Sequence, residues 1–359
     1  MKPLNIALIG CGRIGFSLEF DPLRYKPCTH WGGANSVGLR INYACDINVE
    51  RLNRFASCAN LSKENLFADY KELIERVNPK FVIISTWTES HADIGIFASK
   101  NGAKTIICEK PIASTLSQAQ LFIKSTQRYN VDLIVNHERR YDNRYRMVRR
   151  LIDNGRIGEV KTIYASILTS GYNGESKIEE GGGPLLHDGT HMIDIIRFLF
   201  GEINSVEGEI ERKERESGFE DRVCAWLKCS SGIDIFLEAG GEREYFLFEL
   251  EISGTKGKIV IGNGYEHLYQ TKKSRLYTGF RDLSEKSFPK TGGPNYFQRE
   301  YLEAKKLLNG KIVDIISSGE DGYKALEVIH AIYLSSHLKK RIELPIKPAM
   351  INLKRIFGL

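Results

Sequence analysis

The chain has 359 residues, 42% of them apolar and 27% charged, and a formal net charge of +6. That length exceeds one ordinary core and suits two domains, and so slight a basic excess gives no argument for nucleic acid as a partner. No apolar stretch is long enough to span a bilayer, and seven scattered cysteines without a C-x-x-C pair read as reduced thiols of a cytoplasmic protein.

Leu4 to Ile9 is a short apolar run that predicts a buried strand. It ends in Gly10, so it does not read as a secretory leader. Gly10, Gly12 and Gly15 then complete G-x-G-x-x-G. The spacing predicts a dinucleotide-binding turn. Gly10 permits the tight turn, Gly12 lets the backbone approach a pyrophosphate, and Gly15 lets the following helix pack close to the strand. The helix start would offer N–H groups to the phosphates. Pro22, Pro27, Gly32 and Gly33 interrupt the next segment, so a short helix and then a loop are expected. His30 and Trp31 in that loop read either as surface packing or as a lid or substrate contact.

Leu39 to Cys45 predicts the second strand, ended by Asp46. An acid there is placed to accept from the adenosine ribose hydroxyls, and a role as N-cap of a helix before Val49 is compatible with that. No arginine comes directly after it, which favours NAD over NADP, although Arg51 and Arg54 are near. The alternation then continues: helix Tyr70 to Val77, strand Phe81 to Ile84, helix Ser90 to Asn101, strand Thr105 to Cys108, helix Ser117 to Tyr129, strand Leu133 to Val135. Such alternation implies a parallel, doubly wound sheet with ligands at the carboxyl ends of its strands. Those ends carry Gly10, Asp46, Ser85, Thr86, Trp87, Glu109, Lys110 and Asn136. Pro111 keeps Lys110 extended and stiffens its turn.

From Asn136 the pattern changes, and domains are expected at 1–136 and 137–359. A basic helix with six arginines between Arg139 and Arg150 ends at Gly155. A solvated or interface face explains it better than nucleic acid, although Arg139 or Arg140 could hold an anionic substrate. Val160 to Leu168 predicts a strand. Three glycines and Pro184 then open a helix on which His187 and His191 share a face bordered by Asp188. Strand-like runs come next at Val223 to Cys229, Ile233 to Glu238, Phe246 to Ile252 and Lys258 to Ile261, which suits a largely antiparallel sheet. Helices Phe297 to Leu308 and Asp321 to Leu338 and a strand Arg341 to Pro345 close the chain.

The ordered motifs GCGRIG, CD at Asp46, STWTESH at Ser85 to His91, CEKP at Cys108 to Pro111 and GGGPLLHDGTHMID at Gly181 to Asp194 resemble the glucose–fructose oxidoreductase / inositol dehydrogenase (Gfo/Idh/MocA) family. SGTKG at Ser253 to Gly257 and the helix DGYKALEVIH add to the match, which covers nearly the whole chain. The resemblance implies an α/β fold: an N-terminal Rossmann domain, then a C-terminal α+β domain with an open, mostly antiparallel sheet. It implies hydride transfer between nicotinamide and a hydroxyl or carbonyl carbon of a sugar, inositol or sugar nucleotide. Homodimers or homotetramers are expected, with no membrane or nucleic-acid partner. The family's lysine falls on Lys110 and its catalytic histidine on His191. A histidine can take the hydroxyl proton near neutral pH, and a lysine can stabilise a developing alkoxide.

NAD is therefore expected against the turn residues Gly10, Cys11, Gly12, Arg13 and Ile14, against Asp46, and against Ser85, Thr86, Trp87 and His91. Glu109, Lys110 and Asn136 complete that set. Substrate is expected against Lys110, Arg139, Tyr172, His187 and His191. The family often has aspartate where His187 stands, so either Asp188 orients His191 or His187 acts in a relay. Two histidines at i, i+4 could also bind zinc, but no H-E-x-x-H accompanies them. A dinucleotide-binding sensor without turnover is the rival reading.

Overall fold

The computed structural model describes residues 4–170, 182–212, 219–351 and 353–357. The chain forms two compact units, one of residues 1–142 and 294–324, the other of residues 143–293 and 325–359. The sequence pattern predicts a single boundary, after residue 136. The structure returns the segment Pro294–Lys324 to the first unit.

In the first unit six strands form a wholly parallel sheet: β1 (Ile6–Ile9), β2 (Tyr43–Cys45), β3 (Leu66–Phe67), β4 (Phe81–Ile84), β5 (Thr105–Cys108) and β6 (Asp132–Val135). Their order is β3-β2-β1-β4-β5-β6, with the switch point between β1 and β4. Each residue of β1, β4 and β5 is buried, as strands covered on both faces require. The returning helix Tyr296–Leu308 buries Phe297, Tyr301 and Ala304 in the same core as Leu8, Phe16, Phe81 and Ile107. That shared core is why the segment belongs to this unit.

Three local expectations change. After Gly15 the chain makes a turn and a 3₁₀ segment, Ser17–Phe20, with no α-helix. The α-helix comes later, at His30–Ser36, capped by Thr29, whose side chain accepts from Gly32 N. Thr29 supplies the N-cap that lets a Gly-rich stretch start a helix. The basic stretch also breaks: a 3₁₀ turn Glu138–Tyr141 and a helix Asn143–Asp153 are separated by Asp142. Asp142 sits in extended backbone geometry, which no helix continues through.

The described residues of the second unit form nine strands: β7 (Val160–Ser170), β8 (Ile203–Glu211), β9 (Arg222–Cys229), β10 (Asp234–Arg243), β11 (Leu247–Gly254), β12 (Gly257–Gly262), β13 (Tyr265–Lys273), β14 (Arg281–Lys286) and β15 (Ile342–Glu343). The order is β14-β13-β12-β11-β7-β10-β9-β8-β15. Among the described residues only the β7–β10 pair of this sheet is parallel. Along β9 and β10 one face is buried and the other open, the alternation of a sheet with one solvated side. Beyond the short β15, Ser335 and Ser336 hydroxyls accept from Gly208 N and Ile210 N and so cover the edge of β8.

His330, in the helix Gly319–Leu338, is fully buried and neither ring nitrogen has a hydrogen-bond partner. Burial pushes its pKa down to about 3. The folded state therefore keeps it neutral, while the unfolded chain gains a proton below about pH 6.5, so this residue costs stability as pH falls. His330→Leu removes that linkage. Urea unfolding is expected to show the variant gaining on the native protein by about 2 kcal/mol between pH 7 and pH 5. A gap that stays constant with pH would remove the explanation.

Candidate functional site

The turn after β1 is built by close backbone approach. Gly10 has φ +97°, and a Cβ there would sit 2.5 Å from Ser85 O. A Cβ on Gly15 would lie 2.4 Å from Gly10 O. Gly12 differs: a Cβ there would meet nothing within 4 Å. Space is therefore open in front of Gly12, where a pyrophosphate needs it. The carbonyl of Gly12 accepts from Phe16 N and Ser17 N at 3.0 and 3.2 Å. Among the described residues the N–H groups of Gly12, Arg13 and Ile14 donate to no protein acceptor, which leaves them for an anion. The short turn, not a helix dipole, supplies these donors.

Asp46 ends β2, and its two oxygens accept from Cys11 N at 2.7 Å and Asn48 N at 2.8 Å. It ties the Gly turn to the second strand and keeps lone pairs for further donors. It does not cap the next helix. Asn48 does that, accepting from Arg51 N. Burial and Asp46 push the Cys11 thiol well up, so it stays a neutral packing group.

At the end of β4, Ser85 Oγ donates to Gly10 O at 2.7 Å and locks the strand end to the turn. Thr86 Oγ1 pairs with Ser90 Oγ at 2.7 Å, and Trp87 is 56% exposed. His91, expected at the cofactor, is buried with both ring nitrogens on carbonyls, Pro111 O at 2.8 Å and Thr86 O at 3.0 Å. It staples two strand-end loops together. Burial lowers its pKa despite those two acceptors.

The end of β5 carries the densest network. Glu109 Oε1 accepts from Asn136 Nδ2 at 2.5 Å and faces His30 Nε2 at 3.0 Å; Glu109 Oε2 accepts from Lys110 N at 3.2 Å. His30 Nδ1 lies 2.9 Å from Tyr301 OH. His30 and Tyr301 are fully buried, so the residue read as surface packing or a lid is a core contact instead. Burial alone raises the Glu109 carboxyl, but the His30 hydrogen bond and charge, Lys110 and Asn136 outweigh it and hold the group down at about 2. Neighbouring Glu300 is driven the other way. Burial, then Glu109, Glu138 and Glu303, push it well up, and neither of its oxygens has a partner. Burial and the neighbouring acids thus favour its protonated form. His30, Tyr301 and Glu300 were not legible as site residues: a lone histidine in a loop and a distant helix carry no motif.

Asn136 is 2% exposed. A carboxylate only accepts, so its Nδ2 must face Glu109. That leaves Oδ1 buried without a partner among the described residues. Arg139 pairs with Glu138 at 2.7 Å, and Arg140 pairs with Asp321 at 3.0 Å and donates to Ile316 O.

In the second unit the expected single helix is two, Pro184–His187 and Gly189–Phe200, joined at Asp188. The two histidines differ in exposure. The His187 side chain is 54% exposed, and its Nδ1 lies 3.2 Å from Asp188 Oδ1, while His191 is 7% exposed. Glu220 holds the start of this segment. It accepts from Leu185 N at 2.9 Å and from Tyr333 OH at 3.2 Å. A Cβ at Gly183 would sit 2.3 Å from the carboxylate, so a side chain there would displace Glu220. Burial pushes Glu220 up to about 7. Tyr172 lies outside the described residues. Among the described residues no cluster of three metal-binding side chains is present.

A family model described as oxidoreductase family, NAD-binding Rossmann fold, matches residues 4–137, and one for the GFO/IDH/MocA C-terminal domain matches residues 145–260. The chain belongs to the Gfo/Idh/MocA family. It is an oxidoreductase with an NAD-binding Rossmann domain. A myo-inositol 2-dehydrogenase of Thermotoga maritima is 24% identical over 95% of this chain and 98% of its own length. A D-apiose dehydrogenase of Paraburkholderia graminis is 27% identical over 96% of this chain and 90% of its own. Among solved structures, the WlbA dehydrogenase of Bordetella pertussis, in complex with NADH and UDP-GlcNAcA, shares the fold. Its TM-score is 0.76 at 20% identity, covering 96% of this chain and 100% of that one. The Gfo/Idh/MocA assignment accounts for both halves: the parallel sheet ending in the Gly turn, and the open mixed sheet after it.

Proposed function

We propose that this protein is an NAD-linked dehydrogenase acting on a hydroxyl-bearing carbon of a polyhydroxylated, sugar-derived substrate. The observation that carries it is the strand-end arrangement: an open Gly12 turn, Asp46 on one side, and Lys110 and Asn136 at neighbouring strand ends on the other. These residues fit a dinucleotide, since the turn has open donors and Asn136 an open acceptor. The bound nicotinamide would supply the hydride acceptor. Lys110 would stabilise the developing alkoxide, and a ring nitrogen of His191 would take the hydroxyl proton. Asp188 would act on His187 first, given their 3.2 Å separation. Arg139 and Arg140 already serve internal acids, which favours an uncharged sugar or inositol over a sugar nucleotide.

Reduced-nicotinamide absorbance against a panel of sugars, inositols and nucleotide sugars tests this. Tight NAD binding without turnover on any class would favour the sensor. For the cofactor, Asp46→Ala is expected to weaken NAD binding about 10–100-fold and NADP binding much less, because a ribose hydroxyl loses a charged acceptor. Equal losses by calorimetry would undo the ribose assignment. All seven cysteines are free, which supports a cytoplasmic protein. The open face of the nine-stranded sheet carries a stacked row, Tyr164–Phe236 at 5.5 Å and Phe236–Trp226 at 6.3 Å. We assign that row to contact with a second copy, in a homodimer or homotetramer; a monomeric mass by light scattering would exclude it.

A further inference from the structure

We infer that His30, backed by Tyr301, is a positioning residue for the nicotinamide end of the cofactor, acting through Glu109 on the side-chain amide of Asn136. The inference rests on the NAD reading above. It deepens that reading by adding two residues that no motif contains.

The chain of contacts is continuous and buried. Tyr301 OH lies 2.9 Å from His30 Nδ1, His30 Nε2 lies 3.0 Å from Glu109 Oε1, and the same oxygen accepts from Asn136 Nδ2 at 2.5 Å. The four residues are no more than 5% exposed. Each contact fixes the next. Tyr301 holds the imidazole edge, the imidazole holds the carboxylate, and the carboxylate decides which way the amide points. An isolated Asn136 could flip its amide at little cost. Against an ionised Glu109 it cannot, because the flipped carbonyl would face a carboxylate without a proton between them. The result is a buried acceptor, Asn136 Oδ1, held in one orientation with no donor among the described residues. A buried acceptor left open costs stability, so its persistence points to a donor that arrives from outside.

The topology identifies the donor. In a doubly wound sheet the dinucleotide crosses the strand ends at the switch point. Asp46 stands on β2, on the adenosine side. Asn136 comes after β6, at the opposite edge of the order β3-β2-β1-β4-β5-β6. The groups available there are the carboxamide N–H of nicotinamide and the hydroxyls of its ribose. Both are donors, and both match an open carbonyl oxygen.

His30 enters from the segment between the Gly turn and the helix His30–Ser36. That segment is thus tied to the chemistry by one imidazole. Without it, Glu109 would keep Asn136 and Lys110 N but lose its main compensating partner. The carboxylate would then be free to turn, and Asn136 with it.

The test is calorimetric binding of three probes, ADP, ADP-ribose and NAD, to the full chain and to His30→Ala, Tyr301→Phe and Asn136→Ala. ADP lacks the whole nicotinamide half, and ADP-ribose lacks only the ring. Every variant is expected to bind ADP within about twofold of the native protein and NAD about tenfold more weakly, the effect of one lost hydrogen bond. If ADP-ribose weakens with NAD, the donor is a ribose hydroxyl; if NAD alone weakens, it is the carboxamide. His30→Gln, which restores one N–H towards Glu109, is expected to recover most of the NAD affinity. His30→Ala also opens a cavity, so Tyr301→Phe, which removes a single hydroxyl, decides the matter if that variant does not fold. Unchanged NAD binding in Tyr301→Phe and Asn136→Ala would overturn the inference while leaving the NAD reading intact. Failure of the native protein to bind ADP or NAD at all would overturn that reading, and this one with it.

Discussion

Lys110→Ala is expected to lose about 10²–10⁴-fold in kcat, the usual weight of a positioned acid–base or electrostatic group, while NAD affinity changes little. Lys110 is partly exposed at the end of β5, and its backbone is held from below by Glu109 Oε2, which accepts from Lys110 N. Removing the side chain leaves that backbone contact in place. It also leaves the Glu109–His30 and Glu109–Asn136 contacts, so the turn keeps its shape without the ammonium. Glu109 loses one nearby cation, but His30 is the larger influence on it. Stopped-flow hydride transfer and an NAD titration, run side by side, separate the two effects. A variant with near-native kcat would mean that Lys110 only decorates the strand end. A variant that loses NAD affinity as strongly as kcat would make Lys110 a cofactor anchor and leave the alkoxide without an assigned cation.

Much of this arrangement was legible in the sequence, because it rests on short-range rules. The Gly turn, the strand that feeds it and the acid at Asp46 are each set by a few adjacent residues, and β4 and β5 were read at their true limits. The parallel order comes from β/α alternation. What was not legible depends on long sequence separation. His30 and Glu109 are 79 residues apart, and His30 and Tyr301 are 271 apart. The helix Tyr296–Leu308 showed only its amphipathic spacing, which says that one face is buried but not against which core. The histidine helix differs for a local reason: it breaks at Asp188, and the His187 side chain is 54% exposed while His191 is buried. In the second sheet β8, β13 and β14 were missed, because their residues are largely polar or half-exposed and give no clear apolar alternation.

Gly10→Ala and Gly12→Ala are expected to fail in opposite ways, although the two glycines stand two residues apart in one motif. At Gly10 the backbone has φ +97°, where a side chain is strained, and the new Cβ would sit 2.5 Å from Ser85 O and 2.8 Å from Thr86 N. Both obstacles are backbone of the neighbouring strand end, so neither can swing aside. Strain in such a region costs about 1–3 kcal/mol by itself, and separating β1 from the end of β4 adds to it. Ser85 Oγ would also lose its grip on Gly10 O, at 2.7 Å in the native turn. A loss of more than about 3 kcal/mol is expected by urea unfolding, in the absence of any cofactor. At Gly12 a methyl meets nothing within 4 Å, so the free protein is expected to keep its stability within about 0.5 kcal/mol. Its cost comes only when a pyrophosphate approaches the turn, and NAD affinity is expected to fall by at least about tenfold. If Gly10→Ala proved as stable as the native protein, the turn would not be constrained as its contacts indicate. If Gly12→Ala bound NAD normally, the open space before Gly12 would not be where the phosphates lie.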